Sequence, residues 1–125
     1  MPESWVKVAG WDPGKSGALV ILHLDRDGLT TRVDSHRFSK CTILEVIEAL
    51  RDARPKLALL ERVNSFGQGR TSAFKFGMSF EHKRQLKFAA QRVFPEQAKG
   101  IVLEDADAHL LAEVARRVLM ERVRR

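Results

Sequence analysis

Two strand-length apolar runs in this chain each end by pointing a carboxylate the same way as their apolar side chains. Alternate residues of a strand share a face. Val6, Val8, Gly10 and Asp12 therefore fall together, and so do Leu57, Leu59, Glu61 and Val63. Burying an unpaired carboxylate costs several kcal/mol, so these acids need cations. Both lie at C-terminal strand ends, where open α/β sheets hold their ligands.

The remaining pattern builds an α/β chain around these two strands. The first, Trp5 to Trp11, leads into the turn Asp12-Pro13-Gly14-Lys15. The second, Ala18 to Leu24, closes on Asp25-Arg26-Asp27-Gly28, a hairpin signal. A third, Leu29 to Phe38, completes a meander. Thr42 and Glu45 form a capping box that opens a helix with Ile43, Val46, Ile47 and Leu50 on one face, and Arg54-Pro55 ends it. Leu57 to Val63, apolar on both faces, reads as a central strand. After the loop from Asn64 to Arg70 comes a short helix from about Thr71, with Ala73, Phe76, Gly77 and Phe80 on one side. A helix from Glu81 to Val93 carries Leu86, Ala89, Ala90 and Val93 on its apolar stripe and stops at Phe94-Pro95. The last helix begins near Leu103 and runs almost to the C-terminus. Three strands, helix, strand and then helices predict α/β with a mixed sheet.

The last helix repeats the anomaly of the strands. Residues three or four apart share a helical face, so Leu103, Asp107, Leu110, Leu111, Val114 and Val118 form one stripe, and Asp107 interrupts it. Glu104 lies beside Asp107 at the i, i+3 spacing. Two strand-end acids plus this pair describe an oxygen-rich cage, which suits Mg²⁺ or Mn²⁺ far better than zinc. Bland roles compete, and Asp107 on its apolar stripe is the hardest to give one. Asp12 is a turn residue before Pro-Gly, Glu61 is a partner for Arg62, and Glu104 and Asp105 are dipole-stabilising acids, the better account of Asp105. Four together in a basic chain favour the metal site.

A chain of 125 residues carries one domain, 1–125, with one core. No apolar run approaches the roughly 20 residues of a membrane span, and Met-Pro-Glu-Ser-Trp lacks the regions of a signal peptide. The single Cys41 excludes an internal disulfide framework and an all-cysteine metal site. The expectation is a cytoplasmic protein with no membrane partner. Its net charge of +6 is gathered late. One cluster is His82, Lys83, Arg84, Lys87 and Arg92, and the other Arg116, Arg117, Arg122, Arg124 and Arg125. Such stripes are the footprint of a polyanion, because neutralising phosphates releases condensed counterions; a solvated surface is the alternative. His109, two residues from Asp107, reads as a surface histidine, and Trp5 and Trp11 read as core.

Four segments, in order, resemble the motifs of RuvC-type Holliday junction resolvases. Gly10-Trp11-Asp12-Pro13-Gly14-Lys15-Ser16-Gly17-Ala18 is similar to their first-strand motif, and Leu59-Leu60-Glu61-Arg62-Val63 to their second acidic motif. Ser72-Ala73-Phe74-Lys75-Phe76-Gly77 resembles the phage branch, and Glu104-Asp105-Ala106-Asp107-Ala108 the C-terminal motif. The ligands of that last motif stand three residues apart, which selects Glu104 and Asp107. The resemblance implies an RNase H-like fold, a three-stranded meander plus parallel strands flanked by helices. It implies a homodimer that nicks four-way or other branched DNA in pairs, leaving 5′-phosphate and 3′-hydroxyl ends. It also implies a phage protein acting inside the host cell, in DNA recombination or repair.

On this reading two Mg²⁺ or Mn²⁺ ions per active site carry phosphodiester hydrolysis. Asp12 bridges them, Glu61 and Asp107 hold the pair, and Glu104 completes one coordination sphere. The expected DNA contacts are Lys15, Phe66, Gln68, Arg70, Lys83 and Lys87. Phe66 sits in a Gly-rich loop and is placed to stack at the open junction centre, or else to anchor that loop. Phe74, Phe76 and Phe80 supply the candidate dimer interface. Between Phe80 and Glu81 the chain departs from the family, which adds a fifth strand and a lysine-bearing connection there. Either the segment is shortened or a stretch of about 30 residues or more is missing, and the length of a helix, strand and connection favours the second. A non-catalytic module that binds branched DNA on the same fold is the rival function. An actin-like kinase or ATPase is set aside on length.

Overall fold

The computed structural model describes residues 5–13, 17–60 and 83–124. Strands β1 (Val6–Asp12), β2 (Ala18–Leu24) and β3 (Thr30–Arg37) form the antiparallel meander. The β2–β3 turn is built by Asp25, whose Oδ1 accepts the amides of Asp27 and Leu29, at 2.9 and 3.0 Å, while Gly28 supplies a φ of 83°. Helix α1 (Ile43–Ala53) starts at the Thr42/Glu45 capping box, with both reciprocal bonds present. It returns the chain to β4 (Leu57–Leu60), which pairs with β1 in parallel, so the order is β3-β2-β1-β4. Helix α2 (Lys83–Val93), a 3-10 segment (Pro95–Gly100) and helix α3 (Ala106–Arg124) complete the described residues. The chain is thus α/β, and its described residues form a four-stranded mixed sheet flanked by helices.

The period-2 pattern sorts the sheet into two faces. Val8, Ala18, Val20, Leu22 and Leu24 turn towards α2 and α3, joined by Ala89, Ala90, Phe94, Leu110, Ala112 and Leu119. Ala9, Leu19 and Ile21 turn towards α1, where Trp11 packs edge-on against Phe38, with ring centroids 6.3 Å apart. β2 is buried on both sides, as the middle of a sandwich of layers must be. Of the two tryptophans expected in the core, only Trp11 packs there; Trp5 is exposed, because it precedes β1 beyond the cover of either helix layer.

The helix faces differ from the expected ones. On α1 the buried face is Val46, Ala49, Leu50 and Ala53, whereas Ile43 is 81% exposed and Leu44 and Ile47 are also exposed. Val46, already in the first turn, packs with Ala9, Leu19 and Ile21, so the face that meets the sheet is rotated away from Ile43, Leu44 and Ile47. β4 was expected as a central strand over Leu57 to Val63. Among the described residues it is the edge strand, with Leu60 exposed. The last helix begins at Ala106, after a turn at 103–105, so Leu103 is exposed rather than part of a stripe. Every residue from Ala106 to Ala115 is buried. A helix enclosed on all sides carries no single apolar stripe, which is why a one-face reading of this segment misplaced its start.

The alanines of α3 and the absence of a side chain at Gly10 let the helix lie directly on β1. A Cβ built at Gly10 would fall 2.3 Å from the Ala108 carbonyl oxygen and 2.3 Å from the Ala112 amide nitrogen. Backbone cannot yield as a flexible side chain does, so Gly10→Ala is expected to cost about 3 kcal/mol. Gly100→Ala meets nothing within 4 Å and is expected to stay within about 0.5 kcal/mol of the native chain. Urea unfolding of the two variants checks this; equal stabilities would show that the helix is free to lift off the strand.

Candidate functional site

Three of the carboxylates singled out in the sequence, Asp12, Glu104 and Asp107, lie on elements that share one end of the sheet. β1 ends there at Asp12, which is paired with Ala18 at the start of β2, and Ala18 is paired with Arg37 at the end of β3. α3 begins at the same end. Its leading turn bonds to Ser39, just past β3, while its later turns meet the opposite hairpin, where Arg116 donates to the Gly28 carbonyl at 2.9 Å. α3 therefore runs antiparallel to β1. From the crossing at Gly10, two strand residues climb about 6.6 Å, which is about four residues of helix. Asp12 is thus level with the first turn of α3, where Asp107 lies 8% exposed.

Three acids lie within four residues across the start of α3, Glu104 and Asp105 in the turn at 103–105 and Asp107 in the helix, in three environments. Glu104 is half-buried and accepts the Ser39 hydroxyl at 2.6 Å on Oε1, with Ser39 also engaging Oε2. Asp105 is 1% exposed and accepts the Ser35 hydroxyl at 2.6 Å and the Val102 amide at 3.0 Å. Ser35 reaches it along a straight row across the sheet, because Gly10 pairs with Val20 and Val20 with Ser35. The Asp105 carbonyl accepts the amide of His109 at 3.0 Å, the first bond of α3, and receives the His109 ring at 2.7 Å through Nδ1.

His109 was expected at the surface and is instead 2% exposed, stacked edge-on against Phe94 at 5.6 Å. Burial lowers its pKa, with the Asp105 hydrogen bond and charge working against that. The ring therefore sits neutral and donates to a carbonyl, a core histidine with its polar demand met. The expectation failed because α3 is enclosed all round, so facing away from Asp107 is still facing inwards.

The described acids at this end, Asp12, Glu104 and Asp107, offer oxygen donors, the kind that a hard divalent cation takes. Among the described residues no three histidine, cysteine, aspartate or glutamate side chains come together closely enough to hold a metal. Glu61, the remaining proposed ligand, lies outside the described residues, immediately past the described end of β4. Lys15, Phe66, Gln68 and Arg70 lie outside them too, as do Phe74, Phe76, Phe80, the Phe80–Glu81 junction and the side chain of Lys83. Lys87 is half-buried on α2, beside the exposed Arg84 and Phe88.

The C-terminal basic cluster is partly spoken for. Glu113, buried in α3, accepts Arg116 through both oxygens at 2.7 Å and Arg117 at 2.9 Å. Pairing with Glu113 raises the Arg116 pKa further, and the same guanidinium clasps the β2–β3 turn. Arg116 is thus a tie between helix and hairpin. An i, i+3 acid upstream of two arginines is the signal that marks it in the sequence.

No protein-family model matches the chain, and no curated protein matches it.

On the α1 face lies a second polar group, not singled out in the sequence: His23 Nε2 meets Asp34 Oδ2 at 2.7 Å, and Arg32 Nε donates to Oδ1 at 2.9 Å. Partial burial alone would raise the Asp34 pKa, but the hydrogen bonds and positive charges of His23 and Arg32 outweigh it and hold the carboxyl below its ordinary value. A depressed carboxylate contributes stability that is complete above the unfolded value of about 4 and is lost as pH falls through the folded value. Asp34→Asn is therefore expected to cost about 1 kcal/mol at pH 5.5, with the gap from the native chain narrowing below about pH 3.5. Urea unfolding at both pH values tests it; an equal gap at both would mean that charge has no part in the pairing.

Proposed function

We propose that the chain is a divalent-metal-dependent endonuclease for four-way or other branched DNA, built on an RNase H-like fold. The observation that carries this reading is the leading turn of α3, with buried Asp107 and tethered Glu104, held level with the end of β1 at Asp12. The meander followed by a strand parallel to β1 agrees with that fold, and the ordered motifs of the sequence support the family.

Asp12, Glu61, Glu104 and Asp107 would hold Mg²⁺ or Mn²⁺. When bound, such ions lower the pKa of water and neutralise charge on the leaving oxygen. The chain's own side chains do the rest. Lys15, Gln68, Arg70, Lys83 and Lys87 bind and orient phosphates without reading sequence, and Phe66 stacks on an unpaired base. A junction has two-fold symmetry and paired nicks need two active sites, so the working unit is a C₂ homodimer, acting in the cytoplasm of a phage-infected host.

A second reading is a non-catalytic module that binds branched DNA, for which the net charge of +6 alone is enough. The Asp12→Asn variant separates the two. It is expected to lower Mn²⁺-dependent cleavage of a labelled junction more than about 100-fold, beyond what loss of an outer-shell partner costs. Junction affinity in Ca²⁺ is expected to be unchanged or higher. Cleavage at the native rate would remove Asp12 from the site, and a native chain that binds without cutting would favour the second reading.

A further inference from the structure

We propose that the outer ridge of α2, formed by Arg84, Phe88 and Arg92, is a binding surface for single-stranded DNA, with Phe88 stacking on one unpaired base and the arginines on the phosphates either side. This rests on DNA as the partner, as read above, and not on the metal.

Helix α2 has already used its apolar face. Ala89 and Ala90 are buried in the core, and Leu86 and Val93 pack against it. Phe88 points elsewhere and stands 55% exposed. Residues four apart share a helical face. Arg84 and Arg92, both exposed, therefore lie about 6 Å along the axis on either side of the ring. A ring offers its face to any base, and cations beside it neutralise the backbone from which that base hangs.

A lone exposed aromatic is ordinary on a protein surface; the charge around Phe88 is what sets it apart. The C-terminal arginines Arg116 and Arg117 are paired with buried Glu113. Among the described residues no side-chain hydrogen bond or ion pair engages Arg84, Lys87 or Arg92. The sequence places no acid between Glu81 and Glu96, so the helix presents cations without anions, the complement of a phosphate backbone. A membrane surface would need a whole apolar face to bury, and α2 turns that face inwards. A base needs one ring.

The test uses the full chain in EDTA, so that binding alone is read, by anisotropy of a labelled oligothymidylate and of a blunt duplex of the same length. Phosphatidylserine vesicles are the third probe. Phe88→Ala is expected to lower affinity for the strand about tenfold, to leave the duplex within about twofold and to keep the native melting temperature, and Phe88→Trp to restore the strand affinity. Replacing Arg84 and Arg92 together by Gln is expected to weaken both DNAs and to flatten the slope of log affinity against log salt on the strand by about 1.4. If Phe88→Ala lowers strand and duplex affinity alike, or neither, the stacking role is wrong while DNA stays the partner. Vesicle binding that Phe88→Ala abolishes, with strand affinity unchanged, makes the ridge a membrane contact and overturns the proposal. If the native chain binds neither strand nor duplex, DNA as the partner fails and the proposal fails with it.

Discussion

Everything at the carboxylate end depends on how closely α3 lies on β1. Gly10 has no side chain, and the space a Cβ would take is filled by backbone atoms of Ala108 and Ala112. The contact sets the height of the helix against the strand, and so puts the first turn of α3 at the level of Asp12. A larger residue at position 10 would lift the helix and separate Asp12 from Asp107 before touching either.

A helix so enclosed carries its polar residues into the interior, and each one is used. Asp105 receives a hydroxyl and an amide, the His109 ring turns to a carbonyl, and Glu113 takes two arginines. Among the described residues no buried side-chain nitrogen or oxygen lacks a hydrogen-bond partner. Satisfied polar groups of this kind give a core direction as well as adhesion. Here they fix the helix at both ends, through Ser35 and Ser39 at one and the Gly28 carbonyl at the other.

Strand periods, the Asp25–Gly28 turn and the Thr42 capping box were legible in the sequence because each is a local signal with a local cause. The apolar stripe of α2 was legible too, since one face of that helix meets the core. α3 defeated the same reasoning. Periodicity reports a helix with a wet side, and the first ten residues of α3 have none, so its start, the place of Leu103 and the burial of His109 were misjudged. The exposed Ile43 and Ile47 were misjudged for the reverse reason: the apolar pattern of α1 is wider than the face that meets the sheet. At the candidate site, parity placed Asp12 on the α3 side of the sheet. The serines that engage Glu104 and Asp105 come from 65 and 70 residues away in the chain, and no spacing rule reaches that far.

The proposed nuclease activity draws on the close contact of α3 with β1, on carboxylates at one end of a mixed sheet, and on the basic charge of the chain. The most direct measurement is incubation of the native chain with an end-labelled four-way junction, with Mg²⁺, with Mn²⁺ and with EDTA, followed by ligation of the products. The proposed function predicts metal-dependent, symmetrically paired nicks whose ends a ligase seals. Junction binding with no cleavage in either metal, or cleavage that persists in EDTA, would contradict it.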